Sequence, residues 1–144
     1  DEAFTAFLKG AGIDIGELSR GQLESKLKNH KFWGPRYREQ GASHVLTVEV
    51  AYYTYARTNN LSDKFRPGVM LGFRLTDNQG ALLASGHGAS SGFPDTLENV
   101  RANPQLLRTA YQHVVDDAID EIFKALDPDE QGSKFILWEA SPAP

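Results

Sequence analysis

The sequence predicts an α+β fold: an antiparallel sheet, made of a three-strand meander plus a C-terminal strand, packed by a long C-terminal helix and an N-terminal helix. Two patterns predict it. Apolar and polar residues alternate in consecutive stretches separated by turn residues, as in a meander. Residues 104–126 instead repeat apolar side chains at helical spacing. For 144 residues we expect one domain, 1–144, with a disordered tail over about 140–144.

Two helices are predicted before the sheet. The first, 2–10, has Phe4, Phe7 and Leu8 on one side. The second, 14–30, starts with capping-box spacing, in which Asp14 replaces the usual Ser or Thr and Glu17 follows three residues later. Its apolar side consists of Ile15, Leu18, Leu23 and Leu27.

The clearest strand, 44–56, contains the aromatic cluster AYYTY. Regular alternation sends Tyr53 and Tyr55 to the face opposite the core. Exposed tyrosines are typical of interfaces, whereas cross-strand packing explains them equally well. The residues that alternation places on the core face are Leu46, Val48, Val50 and Tyr52.

The remaining elements follow from turn and cap signals. Strand 68–76 passes through the turn DNQG, 77–80, into a third strand over 81–87, and residues 89–98 then read as a surface connection. Asn103 and Pro104 are a good N-cap and first residue for the long helix. KFILW, 134–138, is predicted as the last strand. The apolar stripe of the long helix comprises Leu107, Ala110, Val114, Ala118, Ile122 and Leu126.

Composition excludes several kinds of site. The chain has no cysteine, which excludes disulfides, thiol catalysis and cysteine-based zinc sites. The formal charge of −4 argues against a general nucleic-acid binder, and the apolar runs are far shorter than a membrane span. We expect no cofactor.

Residues 88–92, GASSG, match the G-x-S-x-G spacing of the nucleophile elbow in serine hydrolases. The elbow needs a strand that turns directly into a helix, and an acid and a histidine that follow the serine. Here Phe93 and Pro94 follow Ser90, and the one later histidine, His113, lies inside the predicted long helix. We therefore expect small residues that let the chain leave the sheet, and a small hydrolase using Ser90 remains the alternative.

His113, Asp117 and Glu121 recur every four residues and share one face of the long helix. This spacing would suit a divalent cation, but no further ligands can be identified. We interpret it as a solvated acidic face and expect no metal. His30, His44 and His87 show no partner spacing and are interpreted as ordinary surface or strand residues.

Charge is divided unevenly along the chain. Residues 20–38, the basic segment, carry six Lys or Arg against one Glu, and 112–130 carry seven acids against one Lys. Aromatic residues interleave with the basic ones, which favours a contact surface for something anionic. The alternative is that the basic and acidic regions face each other within the fold, with the aromatic residues in the core. The candidate binding residues are Lys26, Lys28, Lys31, Trp33, Arg36, Tyr37, Arg38, Tyr53 and Tyr55.

Three stretches carry a resemblance: AGIDIGELSRGQLESKL, ASHVLTVEVAYYTY and ANPQLLRTAYQHVVDDAIDEIFKAL. Together they resemble small bacterial envelope lipoproteins, whose mature domains look like the N-terminal domain of TolB and the auxiliary lipoproteins of envelope ABC transporters. The lipid-bearing cysteine of these proteins is absent here, as is their first strand before residue 14.

The resemblance implies a non-enzymatic domain of a periplasmic or outer-membrane lipoprotein that binds another envelope component, either a protein or something anionic. We expect a periplasmic location, with the lipid anchor to the outer membrane lost before Asp1. Nucleic acid is not expected as a partner. An anionic polymer bound through the basic segment is a further alternative.

Overall fold

The computed structural model describes residues 2–127, and the predicted strand 134–138 and tail 140–144 lie outside them. The predicted α+β class, with a meander packed by a long helix and N-terminal helices, is confirmed. The elements are α1 (Glu2–Gly10), α2 (Ile15–Asn29), a 3-10 turn (Gly34–Arg36), β1 (His44–Arg57), β2 (Lys64–Asp77), β3 (Leu82–Ser91), β4 (Asp95–Thr96), α3 (Leu97–Ala102) and α4 (Pro104–Leu126).

The sheet has the order β1-β2-β3, all antiparallel, and β4 pairs with the first residues of β2. α4 packs against β2 and β3, and α2 packs against α4 and β1. On the opposite face, Glu49, Arg74 and His87 are exposed. This alternation is typical of an antiparallel sheet with one face in water. The inward side chains of β2 are Val69, Leu71, Phe73 and Leu75, all buried.

A β-bulge in β1 overturns the predicted orientation of the tyrosines. Val50 is paired with Leu71 and Tyr52 with Met70, so Ala51 has no partner in the register. The extra residue reverses the alternation for the rest of the strand. Tyr52, expected on the core face, is therefore 52% exposed, while Tyr53 and Tyr55 pack against the core. A bulge of this kind leaves no signal in the apolar pattern.

β3 is longer than predicted, because residues 88–91 still pair with β2. The residues expected to form a surface connection also include β4 and the short helix α3. Thr96 caps α3, its hydroxyl oxygen accepting a hydrogen bond from the amide of Asn99 at 3.1 Å. The prediction stopped the strand early because Gly, Ala and Ser have low strand propensity.

The caps and apolar faces of the helices agree with the sequence. The carboxylate of Asp14 accepts from the amide of Glu17 at 3.0 Å, and the side chain of Asn103 accepts from Gln105 at 3.2 Å. The predicted stripe of α4 is buried, with Ala110 partly so. α4 also contacts α2. A second row of its side chains is buried as well, formed by Tyr111, Val115, Ile119 and Phe123.

The backbone of α4 lies directly on β3 at Gly88. A Cβ at this position would lie 2.1 Å from the carbonyl oxygen of Ala118 and 2.9 Å from a side-chain carbon of Ile122. Only glycine permits this approach, so the small residues of β3 set the distance between helix and sheet.

We therefore expect Gly88→Ala to lower the free energy of unfolding by roughly 1–3 kcal/mol, the usual cost of overpacking a core. Gly72→Ala is the matched control, because it lies in the neighbouring strand and its Cβ would meet His87 at an ordinary 3.7 Å. Urea denaturation followed by circular dichroism measures both. Equal midpoints for the two variants would contradict the close contact.

Candidate binding cleft

A hydrogen-bonded turn after α2 orients the aromatic part of the basic segment. Nδ1 of His30 accepts from the backbone amides of both Phe32 and Trp33, each at 3.1 Å. The His30 ring also stacks on Phe123 of α4, with centroids 5.2 Å apart. Burial lowers the pKa of His30; Asp127 opposes this shift and Lys31 adds to it. A neutral imidazole is the form that accepts at Nδ1. His30 was predicted to be an ordinary surface or strand residue, which is wrong.

Trp33 is fixed by α4 and by its neighbour. Its indole N–H donates to the carbonyl of Leu126 at 3.2 Å, and its ring meets Phe32 edge-on at 4.6 Å. The guanidinium of Arg36 lies over the other aromatic ring, 3.9 Å from the Phe32 centroid, and donates to the Phe32 carbonyl at 2.7 Å. Cation–π contact and charge-assisted hydrogen bonding both stabilise this arrangement.

Trp33 and Arg36 contribute to the lining of a cavity of about 780 Å³, which we call the cleft. It lies between the C-terminal ends of α2 and α4, the segment 36–43 and the first residues of β1. Four of the nine candidate binding residues line it, and the other five do not. The four are Trp33, Arg36, Tyr37 and Arg38.

Polar and apolar groups are segregated around the cleft. The apolar side chains come from several separate elements: Leu27, Trp33, Val45, Leu46, Leu75, Phe123 and Leu126. The charged and strongly polar ones all come from one continuous piece of chain: Arg36, Arg38, Glu39, Gln40, Ser43 and His44. The charged and strongly polar lining therefore belongs to one continuous segment, and the apolar lining comes from the elements around it.

The lysines of the basic segment do not form a shared free surface. Lys26 lies 3.1 Å from Asp116 and also binds Asp120. Burial lowers the pKa of Lys26, but hydrogen bonds and charge from the two aspartates outweigh it, so the pKa is raised overall. At this point the basic segment faces the acidic part of α4, as one alternative predicted.

The other two lysines differ from Lys26. Lys28 pairs with Glu24 at 2.9 Å and lies 5.3 Å from the ring centroid of Tyr37. Lys31 is exposed and also has a contact. The three ammonium groups therefore have different environments.

Tyr53 and Tyr55 hold α1 against the sheet. Phe4 stacks on Tyr55 with centroids 5.0 Å apart, and the hydroxyl of Tyr53 lies 3.3 Å from that of Thr5. Burial raises the pKa of Tyr55, with a smaller contribution from Asp95. Nearby, the hydroxyl of Tyr111 donates to the carbonyl of Thr54 at 2.7 Å. The two tyrosines thus have packing roles and lie outside the cleft.

Ser90 lies within β3, opposite Val69, and the chain continues through Ser91 without starting a helix. The strand–turn–helix geometry of a nucleophile elbow is not formed there. His113, Asp117 and Glu121 are exposed, as expected. Within residues 2–127, no group of three or more His, Asp or Glu side chains could bind a metal ion. No helix in this range is long and apolar enough to cross a membrane.

Comparison with solved structures finds the same fold in two bacterial proteins. One is a "putative lipoprotein" from Caulobacter crescentus CB15, with a TM-score of 0.56 and 21% identity over 82% of this chain and 84% of that one. The other is a minor lipoprotein from Acinetobacter baumannii, with a TM-score of 0.57 and 16% identity over 78% and 85%. The chain has a fold found in small bacterial lipoproteins. No family model matches the sequence, and no curated protein is significantly similar to it.

We expect His30 to make the protein less stable as the pH falls below about 6.5, the usual value for histidine. Its pKa is lowered in the folded state, so the unfolded chain binds a proton that the folded chain does not. The stabilisation is complete above that pH and decreases below it. His30→Asn keeps a side-chain acceptor but does not titrate, so it should lack this part of the pH dependence. Urea midpoints measured across a pH series compare the two, and superimposable profiles would contradict the assignment.

Proposed function

We propose that this chain is the folded domain of a bacterial envelope lipoprotein and that it binds another envelope component in the cleft, without catalysing a reaction. In this proposal the domain acts in the periplasm, held at the outer membrane by a lipid. The likeness to the N-terminal domain of TolB belongs to the same proposal. The two solved structures with this fold, both named as lipoproteins, support its general class.

The single observation that carries the binding proposal is that Trp33, Arg36, Tyr37 and Arg38, four of the candidate binding residues, line one cleft. A volume of about 780 Å³ lies within the range typical of ligand sites. Trp33 and Tyr37, whose rings combine apolar area with a polar group, line it together with Arg36 and Arg38. Trp, Tyr and Arg are the residues most enriched at binding hot spots.

The absence of cysteine allows a direct test with single introduced thiols. Ala42→Cys places a thiol in the cleft, and Ala56→Cys places a matched thiol near the exposed end of β1. We expect a bacterial cell-envelope extract to slow maleimide labelling of the Ala42→Cys protein at least severalfold and to leave the Ala56→Cys protein unchanged. Equal labelling rates with and without extract at both positions would contradict binding in the cleft.

The hydrolase alternative is tested separately. We expect a serine-directed fluorophosphonate to leave the protein unlabelled, because Ser90 lies within β3 and no helix begins directly after it to form an elbow. Mass spectrometry of the treated protein measures this, and Ser90→Ala is the control. Stoichiometric labelling that Ser90→Ala abolishes would establish the hydrolase instead.

A further inference from the structure

We propose that the occupant of the cleft is a membrane lipid with a single acyl chain and an acidic head group, the chain lying against the apolar wall and the head group paired with Arg38. This inference rests on the proposed function, because it names the ligand class of the same cleft.

Arg38 provides the charge. Its half-buried side chain lines the cleft and makes one hydrogen bond, from Nη1 to the carbonyl of Tyr37 at a long 3.4 Å. No described carboxylate pairs with it, in contrast to Lys26 and Lys28, which have close acidic partners. A guanidinium has five N–H donors in a fork that matches a phosphate or carboxylate. Arg38 therefore has donors available for an anion.

Within the described residues, two other charged side chains line the cleft, Arg36 and Glu39, and their contacts make Arg38 the better candidate to bind an anion. The guanidinium of Arg36 lies over Phe32 and donates to the Phe32 carbonyl. The exposed carboxylate of Glu39 lies 4.0 Å from the ammonium of Lys28, which is paired more closely with Glu24. Among the described charged groups that line the cleft, Arg36 and Arg38 still outnumber Glu39. An acidic head group at the polar side of the cleft thus meets a net positive environment.

The segregation of polar and apolar lining favours a lipid over a peptide. An extended peptide carries an amide at every residue, and the amides that lie against Leu27, Leu75 and Phe123 would lack hydrogen-bond partners. Only those beside the first residues of β1 could pair with backbone groups. An acyl chain has no polar group along its length, so only its end must be polar. This suits a cleft in which the charged and strongly polar lining is confined to residues 36–44 and the rest of the lining is apolar.

The test uses Trp33, whose ring lines the cleft, as the reporter. In the full chain carrying Trp138→Phe, Trp33 is the only tryptophan. The probes are myristoyl-lysophosphatidylglycerol, which is anionic, and myristoyl-lysophosphatidylcholine, which has the same chain and no net charge, both below their critical micelle concentrations. Calorimetry on the unsubstituted chain gives the same comparison without the reporter variant.

We expect both probes to shift Trp33 emission, with the anionic one binding roughly tenfold more tightly, as for a charge-assisted hydrogen bond. Arg38→Gln should remove that tenfold difference and leave the uncharged probe unaffected. Arg74→Gln, on the exposed face of the sheet, is the matched control and should keep the difference. Lauroyl-lysophosphatidylglycerol, two methylenes shorter, should bind roughly tenfold more weakly.

Any one of the following results would overturn the inference. Equal affinity for the two head groups, or an unchanged preference in Arg38→Gln, would remove the role of Arg38. Tighter binding of an apolar peptide of equal charge would make the occupant a protein segment. Lack of any lysolipid binding, with the Ala42→Cys thiol still protected by envelope extract, would overturn the lipid while the proposed function stands. Loss of that protection as well would overturn both.

Discussion

The contact between α4 and β3 determines where the other parts of the molecule lie. Because Gly88 lets the backbone at Ala118 approach the sheet, α4 lies low enough to cover β2 and β3 with one stripe of side chains and to meet α2 with another. A helix held further away would leave voids on both sides, and voids in a core cost stability. Gly88 thus sets the distance between α4 and the sheet.

The position of α4 in turn fixes the cleft. The carbonyl of its last residue, Leu126, accepts a hydrogen bond from the indole of Trp33, and Phe123 in the same last turn stacks on His30. The turn after α2 is therefore stabilised by its contacts with α4 and by the two hydrogen bonds that His30 accepts from backbone amides within the turn. These contacts fix Trp33, the residue of the turn that lines the cleft, without any ligand.

The sequence was sufficient for the elements whose signals are local. The capping of α2 by Asp14, the start of α4 at Asn103 and the turn after β2 all follow from short-range hydrogen bonding and were predicted correctly. The bulge at Ala51 and the stacking of His30 on Phe123 are not predicted from the sequence, because each depends on a partner distant along the chain. The hydrogen bonds from Phe32 and Trp33 to His30 are local, but a histidine after a helix is not among the usual capping signals. The apolar pattern predicts which face each side chain takes only if the alternation is regular. One extra residue in the strand moves every later side chain to the opposite face, and the amino-acid composition does not show it. The sequence left two arrangements open for the basic segment, a surface for something anionic or a contact with the acidic region within the fold, and tertiary contacts divide the segment between an ion pair with α4 and the cleft.

The bulge in β1 also affects the outer edge of that strand, on the side away from β2. Within residues 2–127, β1 has a strand neighbour on one side only, so a row of fourteen residues offers backbone groups at the sheet edge. A long, flat edge of this kind is a template on which another chain can add and start aggregation. The extra residue at Ala51 interrupts the regular spacing of those groups and increases the local twist. The irregularity that turns Tyr53 and Tyr55 inward therefore also makes the edge a poor template for a second strand.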